Sequence, residues 1–132
     1  MWDNGIVNSE EFTPPNGTSI YSVVGENPTT GCNNSDQVTV IVNPLPNAQI
    51  TPLEPICLNN LPENIITSPI GGILSGNGVE NNYMFNPSLA GVGTHQITYS
   101  FTDFNNCSNS NTIDVVVNPI PNPNAGENEM VC

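Results

Sequence analysis

From His95 to Asp103 the chain alternates. Ile97, Tyr99 and Phe101 point one way, and Gln96, Thr98, Ser100 and Thr102 point the other. A period of two is the mark of a strand with one buried face. Ile113, Val115 and Val117 repeat the pattern and are expected to face the same core. Thr18 to Val24 and Val38 to Val42 alternate in the same way. Shorter strands are predicted at Asn64–Thr67, Ile73–Ser75 and Tyr83–Phe85, with a polar strand at Glu10–Thr13 and an edge strand at Gln49–Thr51. Between them lie turn formers: Asn4-Gly5, Pro14-Pro15-Asn16-Gly17, Gly25 to Gly31, Pro69-Ile70-Gly71-Gly72, Gly76-Asn77-Gly78, Asn86-Pro87, a loop at Ala90–Gly93, and Asn105-Asn106. Asn and Gly tolerate positive φ and Pro pre-sets φ, so such clusters stop and redirect strands. No segment sustains a helical period. The pattern predicts an all-β chain.

One stretch occurs twice. Gly31-Cys32 through Val38-Thr39-Val40-Ile41-Val42 to Asn43-Pro44-Leu45-Pro46-Asn47 returns as Asn106-Cys107 through Ile113-Asp114-Val115-Val116-Val117 to Asn118-Pro119-Ile120-Pro121-Asn122, at an offset of 75 residues. The same offset carries Ile56-Cys57 onto Val131-Cys132. A fixed period of this size marks a repeat architecture. Each copy reads as a turn holding a cysteine, a closing strand and an Asn-Pro-x-Pro exit. Residues 1–43 are expected to be the C-terminal part of one module and 44–55 a Pro-rich linker. Residues 56–118 are expected to be a complete module, and 119–132 a linker with the start of the next. The first segment holds too few strands for a closed core, so Met1 reads as an internal residue of a longer chain.

Charge narrows the partners. The 132 residues hold no Lys or Arg and 12 Asp plus Glu, a net charge of −12. Nucleic acid is excluded, because binding it requires cations that displace counterions, and anionic membrane surfaces are disfavoured for the same reason. No apolar run is long enough for a membrane helix. Stability must come from packing, hydrogen bonds and disulfides. Proteases that cut after basic residues would find no site.

Candidate chemistry is sparse. His95 is the one histidine, and its place at a strand start reads as packing. The neighbours Glu10 and Glu11 would face opposite sides of a strand, unlike a glycosidase pair. No Ser/His/Asp set emerges, and no cation is available for a developing oxyanion. The chain is expected not to be an enzyme. Without a CxxC, zinc has no footing. Calcium takes carboxylate, amide and carbonyl oxygens, so it is the one cofactor considered. Its candidate ligands are Asp103 with Asn105, and Glu54 with Glu127 and Glu129. Trp2 reads as a core residue, and Tyr83 and Phe104 as exposed aromatics.

Several motifs together carry a resemblance. These are Trp2-Asp3-Asn4-Gly5, Ile56-Cys57-Leu58-Asn59, Pro69-Ile70-Gly71-Gly72, Ser75-Gly76-Asn77-Gly78-Val79, Phe85-Asn86-Pro87, Ala90-Gly91-Val92-Gly93-Thr94-His95-Gln96-Ile97-Thr98-Tyr99 and Asp103-Phe104-Asn105-Asn106-Cys107. The combination resembles the Ig-like repeats of giant Bacteroidota surface proteins, the gliding-motility adhesins exported by type IX secretion. The resemblance implies tandem Ig-like β-sandwich modules joined by Pro-rich linkers, on the extracellular face of a bacterium. It implies a stalk or attachment segment. Its partners would be neighbouring repeats, surface polysaccharide and, through other regions, the outer-membrane secretion or motility machinery. A polysaccharide-binding module or an accessory domain of a secreted hydrolase are the rival readings. Tyr21 lies 11 residues before Cys32, while Tyr99 lies 8 before Cys107; this spacing predicts a turn three residues longer in the first module. In an Ig-like sandwich the first and last strands can run side by side with their starts together. On that ground Cys57 is expected to bond Cys107, leaving Cys32 and Cys132 to pair outside this chain.

Overall fold

The computed structural model describes Trp2, residues 11–124 and Gly126. The described chain is all-β apart from one helical turn. It divides into two compact units, residues 1–45 and 46–132.

In the first unit β1 (Gly17–Glu26) and β2 (Asn33–Val42) form an antiparallel hairpin. The ladder pairs Gly17 with Val42 and Glu26 with Asn33. Tyr21 and Val38 sit opposite each other, so one face carries Tyr21, Val23, Val38 and Val40. Trp2 bridges antiparallel to Val23, and the Phe12 ring meets Tyr21 edge-on at 5.1 Å. Of these residues Tyr21 alone is fully buried. Phe12 and Thr13 form no strand, unlike the prediction for Glu10–Thr13, whose first residue lies outside the described residues.

The second unit contains the remaining strands: β3 (Gln49–Ile50), β4 (Ile56–Cys57), β5 (Glu63–Asn64), β6 (Thr67–Ser68), β7 (Ile73–Ser75), β8 (Val79–Glu80), β9 (Met84–Phe85), β10 (Gly93–Thr102) and β11 (Ser108–Asn118). A four-stranded sheet runs β4-β11-β10-β7, with β3-β6 and β5-β9-β8 as smaller sheets. All pairs are antiparallel except β4 with β11. The core draws on every layer: Ile50, Ile56, Ile65, Leu74, Phe85, Ile97, Tyr99, Val115 and Val117. The inward sides of β10 and β11 are those the alternation predicts, and Ile97 and Val115 are 0% exposed. Fully burying such side chains stabilises by about 1.5–3 kcal/mol each.

The loop expected at Ala90–Gly93 is in part the turn α1 (Pro87–Ala90). Asn86 caps it by accepting from the Ser88 N–H at 3.0 Å, and Pro87 occupies the first helical turn, where its missing N–H costs nothing.

The second unit begins earlier than the sequence suggests. Residues 44–55 read as a linker because of Pro44, Pro46, Pro52 and Pro55. Ala48 and Ile50 are nevertheless buried in the second core, β3 pairs with β6, and β3 packs against β10 and β11. Proline suits such a short edge segment, because few of its N–H groups are needed by the sheet. The predicted strand Asn64–Thr67 is divided between β5 and β6, which join different sheets. Ile65 at the break is buried. Residues 119–124 are exposed and without regular structure.

Candidate functional site

The repeated stretch builds the same device in both units. β1–β2 and β10–β11 are each ladders of ten pairs, and the offset of 75 carries Asn33–Val42 onto Ser108–Val117. Each ladder is closed by a turn led by an Asx residue. Asn27 Oδ1 accepts from the Thr29 N–H at 2.9 Å, and the Asn27 N–H donates to the Cys32 carbonyl at 2.8 Å. Asp103 Oδ1 accepts from the Asn105 and Cys107 N–H groups at 2.8 and 2.9 Å, and the Asp103 N–H donates to the Cys107 carbonyl at 2.9 Å. The residue before each cysteine is left-handed, Gly31 at φ 69° and Asn106 at φ 62°. Gly and Asn are the residues that reach this region at least cost.

The turns span residues 27–32 and 103–107, so the first is longer by one residue and not by three. The tyrosines misled the comparison, for they are not equivalent. Tyr21 pairs with Val38 as Ile97 pairs with Ile113, and Val23 holds the register position of Tyr99.

Cys57 and Cys107 are not bonded to each other, unlike the expectation. Cys32, Cys57 and Cys107 are free thiols, and Cys132 lies outside the described residues. β4 does run parallel to β11, as anticipated, but it pairs with Val117 and Asn118 at the far end. Cys107 immediately precedes the first residue of β11. Ten residue steps at about 3.3 Å separate Ser108 from Asn118, whereas a disulfide needs Cα atoms within about 7 Å. Residues 46–55 explain the difference. They run through the unit as β3 and an extended segment, and so deliver Cys57 to the opposite end from Cys107. Cys57 and Cys32 are exposed and Cys107 is half-buried.

Of the other candidates, Asp103 and His95 hold local structure. One oxygen of Asp103 is engaged by the two backbone N–H groups of its turn, and Asn105 is exposed. Glu54 is exposed, while Glu127 and Glu129 lie outside the described residues. Among the described residues no group of three or more His, Cys, Asp or Glu is arranged to hold a metal ion. His95 is half-buried, with Nε2 2.8 Å from the Gly91 carbonyl and its ring tilted against Phe85. Glu11 is exposed and Glu10 lies outside the described residues. Trp2 is half-buried beside Val23. Tyr83 is exposed, and Phe104, near the tip of its turn, is 95% exposed.

Three polar residues matter more than the sequence suggests. The Tyr99 hydroxyl donates to the Pro69 carbonyl and accepts from the Gly72 N–H, tying the 69–72 turn to β10. Asn82, at φ 63°, accepts from the Leu74 N–H at 2.6 Å and donates to the Gly72 carbonyl at 3.0 Å. Asn109 donates to the Pro46 carbonyl at 2.9 Å, which fixes the start of the second unit beside the start of β11. The abundance of Asn was the available signal, though not which Asn.

No protein-family model and no curated protein matches this chain. Among the described residues no helix is long and apolar enough to cross a membrane. The candidate features are hydrogen-bonded turns, a shared hairpin, an exposed thiol at Cys57 and a half-buried one at Cys107.

Proposed function

We propose that this chain is a segment of the repeating stalk of a large bacterial surface adhesin, built from tandem Ig-like β-sandwich modules outside the cell. The observation that carries the reading is the duplicated hairpin, which preserves ladder register, turn chemistry and cysteine position across the offset of 75. A stalk repeat must hand the chain from one unit to the next. Consistent with this, Pro46 lies by Asn109 and the chain leaves β11 at Asn118, at opposite ends of one strand. A chain with no Lys or Arg and a net charge of −12 is self-repelling, which favours an extended, soluble filament. Attachment or gliding motility would be the task of the whole filament.

Reading the flanking coding sequence tests this. Further copies of the Cys-turn-strand-Asn-Pro-x-Pro pattern at similar spacing are expected on at least one side. Flanks without copies, or a catalytic domain alongside a single pair, would overturn the stalk reading. The exposed Phe104 ring favours a second reading, a module that grips polysaccharide by stacking on sugar faces. Specific binding on a glycan array, lost in Phe104→Ala, would establish it.

A further inference from the structure

The closing strands β2 and β11 contain the segments of this chain best suited to pairing with another chain. Residues 37–42 and 112–117 are dominated by Val and Ile, contain no proline and hold a single charged residue between them, Asp114. Short segments of that kind are the signature of strand-to-strand association, and free N–H and C=O groups along a strand edge are its template. Ladder register shows which groups lie on that edge. In an antiparallel pair, opposite residues alternately exchange both backbone bonds and neither. The Asp103 N–H donates to the Cys107 carbonyl. Counting in twos from there, the rungs Phe101–Asn109, Tyr99–Asn111 and Ile97–Ile113 are bonded. Ser110, Thr112, Asp114 and Val116 therefore turn their N–H and C=O groups away from β10. Asn118 belongs to the same set, and its carbonyl accepts from the Leu58 N–H at 3.0 Å on the β4 side. β4 itself pairs with only Val117 and Asn118. In the first unit the Asn27 N–H donates to the Cys32 carbonyl, and the same count puts Gln37 on the outer edge of β2.

Side chains engage the donors on these edges. Asn109 Oδ1 accepts from the Ser110 N–H at 2.9 Å, and Asn111 Oδ1 accepts from the Thr112 N–H at 2.8 Å. In β2, Asp36 Oδ1 accepts from the Gln37 N–H at 2.8 Å. The offset of 75 carries Asp36-Gln37 onto Asn111-Thr112, so both hairpins hold the same contact, once with a carboxylate and once with an amide. Asn109 also donates from Nδ2 to the Pro46 carbonyl at 2.9 Å, which ties up both ends of its amide. Local bonds of this kind compete with a ladder for the same backbone group. We propose that Asp36, Asn109 and Asn111 are edge plugs, which hold the outer edges of β2 and β11 shut against strand addition by a second copy of this chain. A second copy is the partner excluded because it brings the same low-charge strand, and two identical edges can meet about a two-fold axis. A strand joining β11 would need the Ser110 and Thr112 donors in succession, and both are engaged.

Sedimentation velocity of the full chain at rising concentration, with amide exchange at Ser110 and Thr112, tests this. The unaltered chain is expected to stay monomeric. Asn109→Thr combined with Asn111→Thr removes both acceptors and keeps polar, strand-forming side chains. This double variant is expected to shift to dimers and larger species as concentration rises. Its Ser110 and Thr112 amides are expected to lose protection when dilute and to gain it on association. Asn111→Asp keeps the acceptor and is expected to leave the protection of Thr112 unchanged. Asn111→Glu adds the same charge on a longer side chain and is expected to lose that protection. A double variant that stays monomeric at every concentration would overturn the proposal. So would association that leaves Ser110 and Thr112 unprotected, or equal protection of Thr112 in the Asp and Glu variants. Dimers of the unaltered chain with these amides buried would overturn it as well. Amide protection at Ile97 and Val115 reports the fold. Should the double variant lose it, Asn111→Thr alone carries the test, with association protected at Thr112 as the expected result and a monomer as the refutation.

Discussion

The hairpins β1–β2 and β10–β11 share ladder register, ten rungs and an Asx-led closing turn, yet they have opposite fates. On the inward face of β10–β11, Ile97 and Val115 are wholly enclosed, while Val38 on the matching face of β1–β2 remains 46% exposed. A two-stranded hairpin alone is marginal in water, and three or more strands or a packed layer are needed for independent stability. The difference teaches that the hairpin is a shared module whose stability comes from the layer opposite it. In the second unit that layer is assembled from strands of two or three residues, which hold together only by what they bury.

The largest contrast is expected from removing one aromatic ring in each unit, Phe12 beside Tyr21 and Phe85 in the second core. Phe85 is 0% exposed and Phe12 is 47% exposed. Phe85→Ala is expected to cost about 3–5 kcal/mol, and Phe12→Ala about 1 kcal/mol, as befits a half-exposed ring. Urea unfolding followed at Trp2 for the first unit, and by amide exchange at Ile97 and Val115 for the second, separates the two. Equal costs would mean that the first unit is as fully packed as the second.

Glycines give the next contrast. At Gly78, with φ +88°, an added Cβ would lie 2.7 Å from the Ala90 Cβ and 2.8 Å from the Phe85 ring. Gly78→Ala is expected to destabilise by about 2–4 kcal/mol, from overpacking and left-handed strain together. At Gly25 in β1 an added Cβ meets nothing within 4 Å. Gly25→Ala is expected to be neutral or to stabilise by about 0.4–1 kcal/mol through the unfolded chain. Melting temperatures of the two variants provide the check, and matching losses would refute the open character of β1.

Tyr99→Phe removes one hydroxyl and leaves the Pro69 carbonyl and the Gly72 N–H without it. A loss of about 1–3 kcal/mol is expected, with faster amide exchange at Gly72. Val23 holds the same register position in the first unit and has no hydroxyl, so this tie is particular to the second.

The smallest effects test the likeness of the turns. Asn27→Ala and Asp103→Ala each remove an oxygen that accepts from turn N–H groups. Each is expected to cost about 0.5–2 kcal/mol, as for comparable side-chain caps. The cost should be alike in direction in both hairpins, read by calorimetry. A null result at Asn27 alone would show that the two turns are only superficially alike.

The long strands were legible because alternation over five to nine residues marks a strand with one buried face. Ile97, Tyr99, Val115 and Val117 were assigned to the core from sequence, and β7 at Ile73–Ser75 was placed with its observed bounds. What was illegible was short or encoded by context. A two-residue strand such as β3 has no period to detect, and the flanking prolines spoke for a linker. That single misreading also displaced Cys57, since a chain that skips residues 46–55 arrives at the wrong end of β11. The turn device was visible as a cysteine after Asn or Gly, but its hydrogen bonds through Asn27 and Asp103 were not. Asn82 and Asn109 were lost among many other asparagines.

The placement of Pro46 beside Asn109 and of the chain exit at Asn118 has a mechanical consequence. Tension applied between the two ends of the second unit would run along β11, over about nine residue steps or ~30 Å. The rungs that join β11 to β10 lie across that direction. They would be loaded together in shear, not opened one at a time like a zipper, and the whole ladder would have to yield at once before the unit could lengthen.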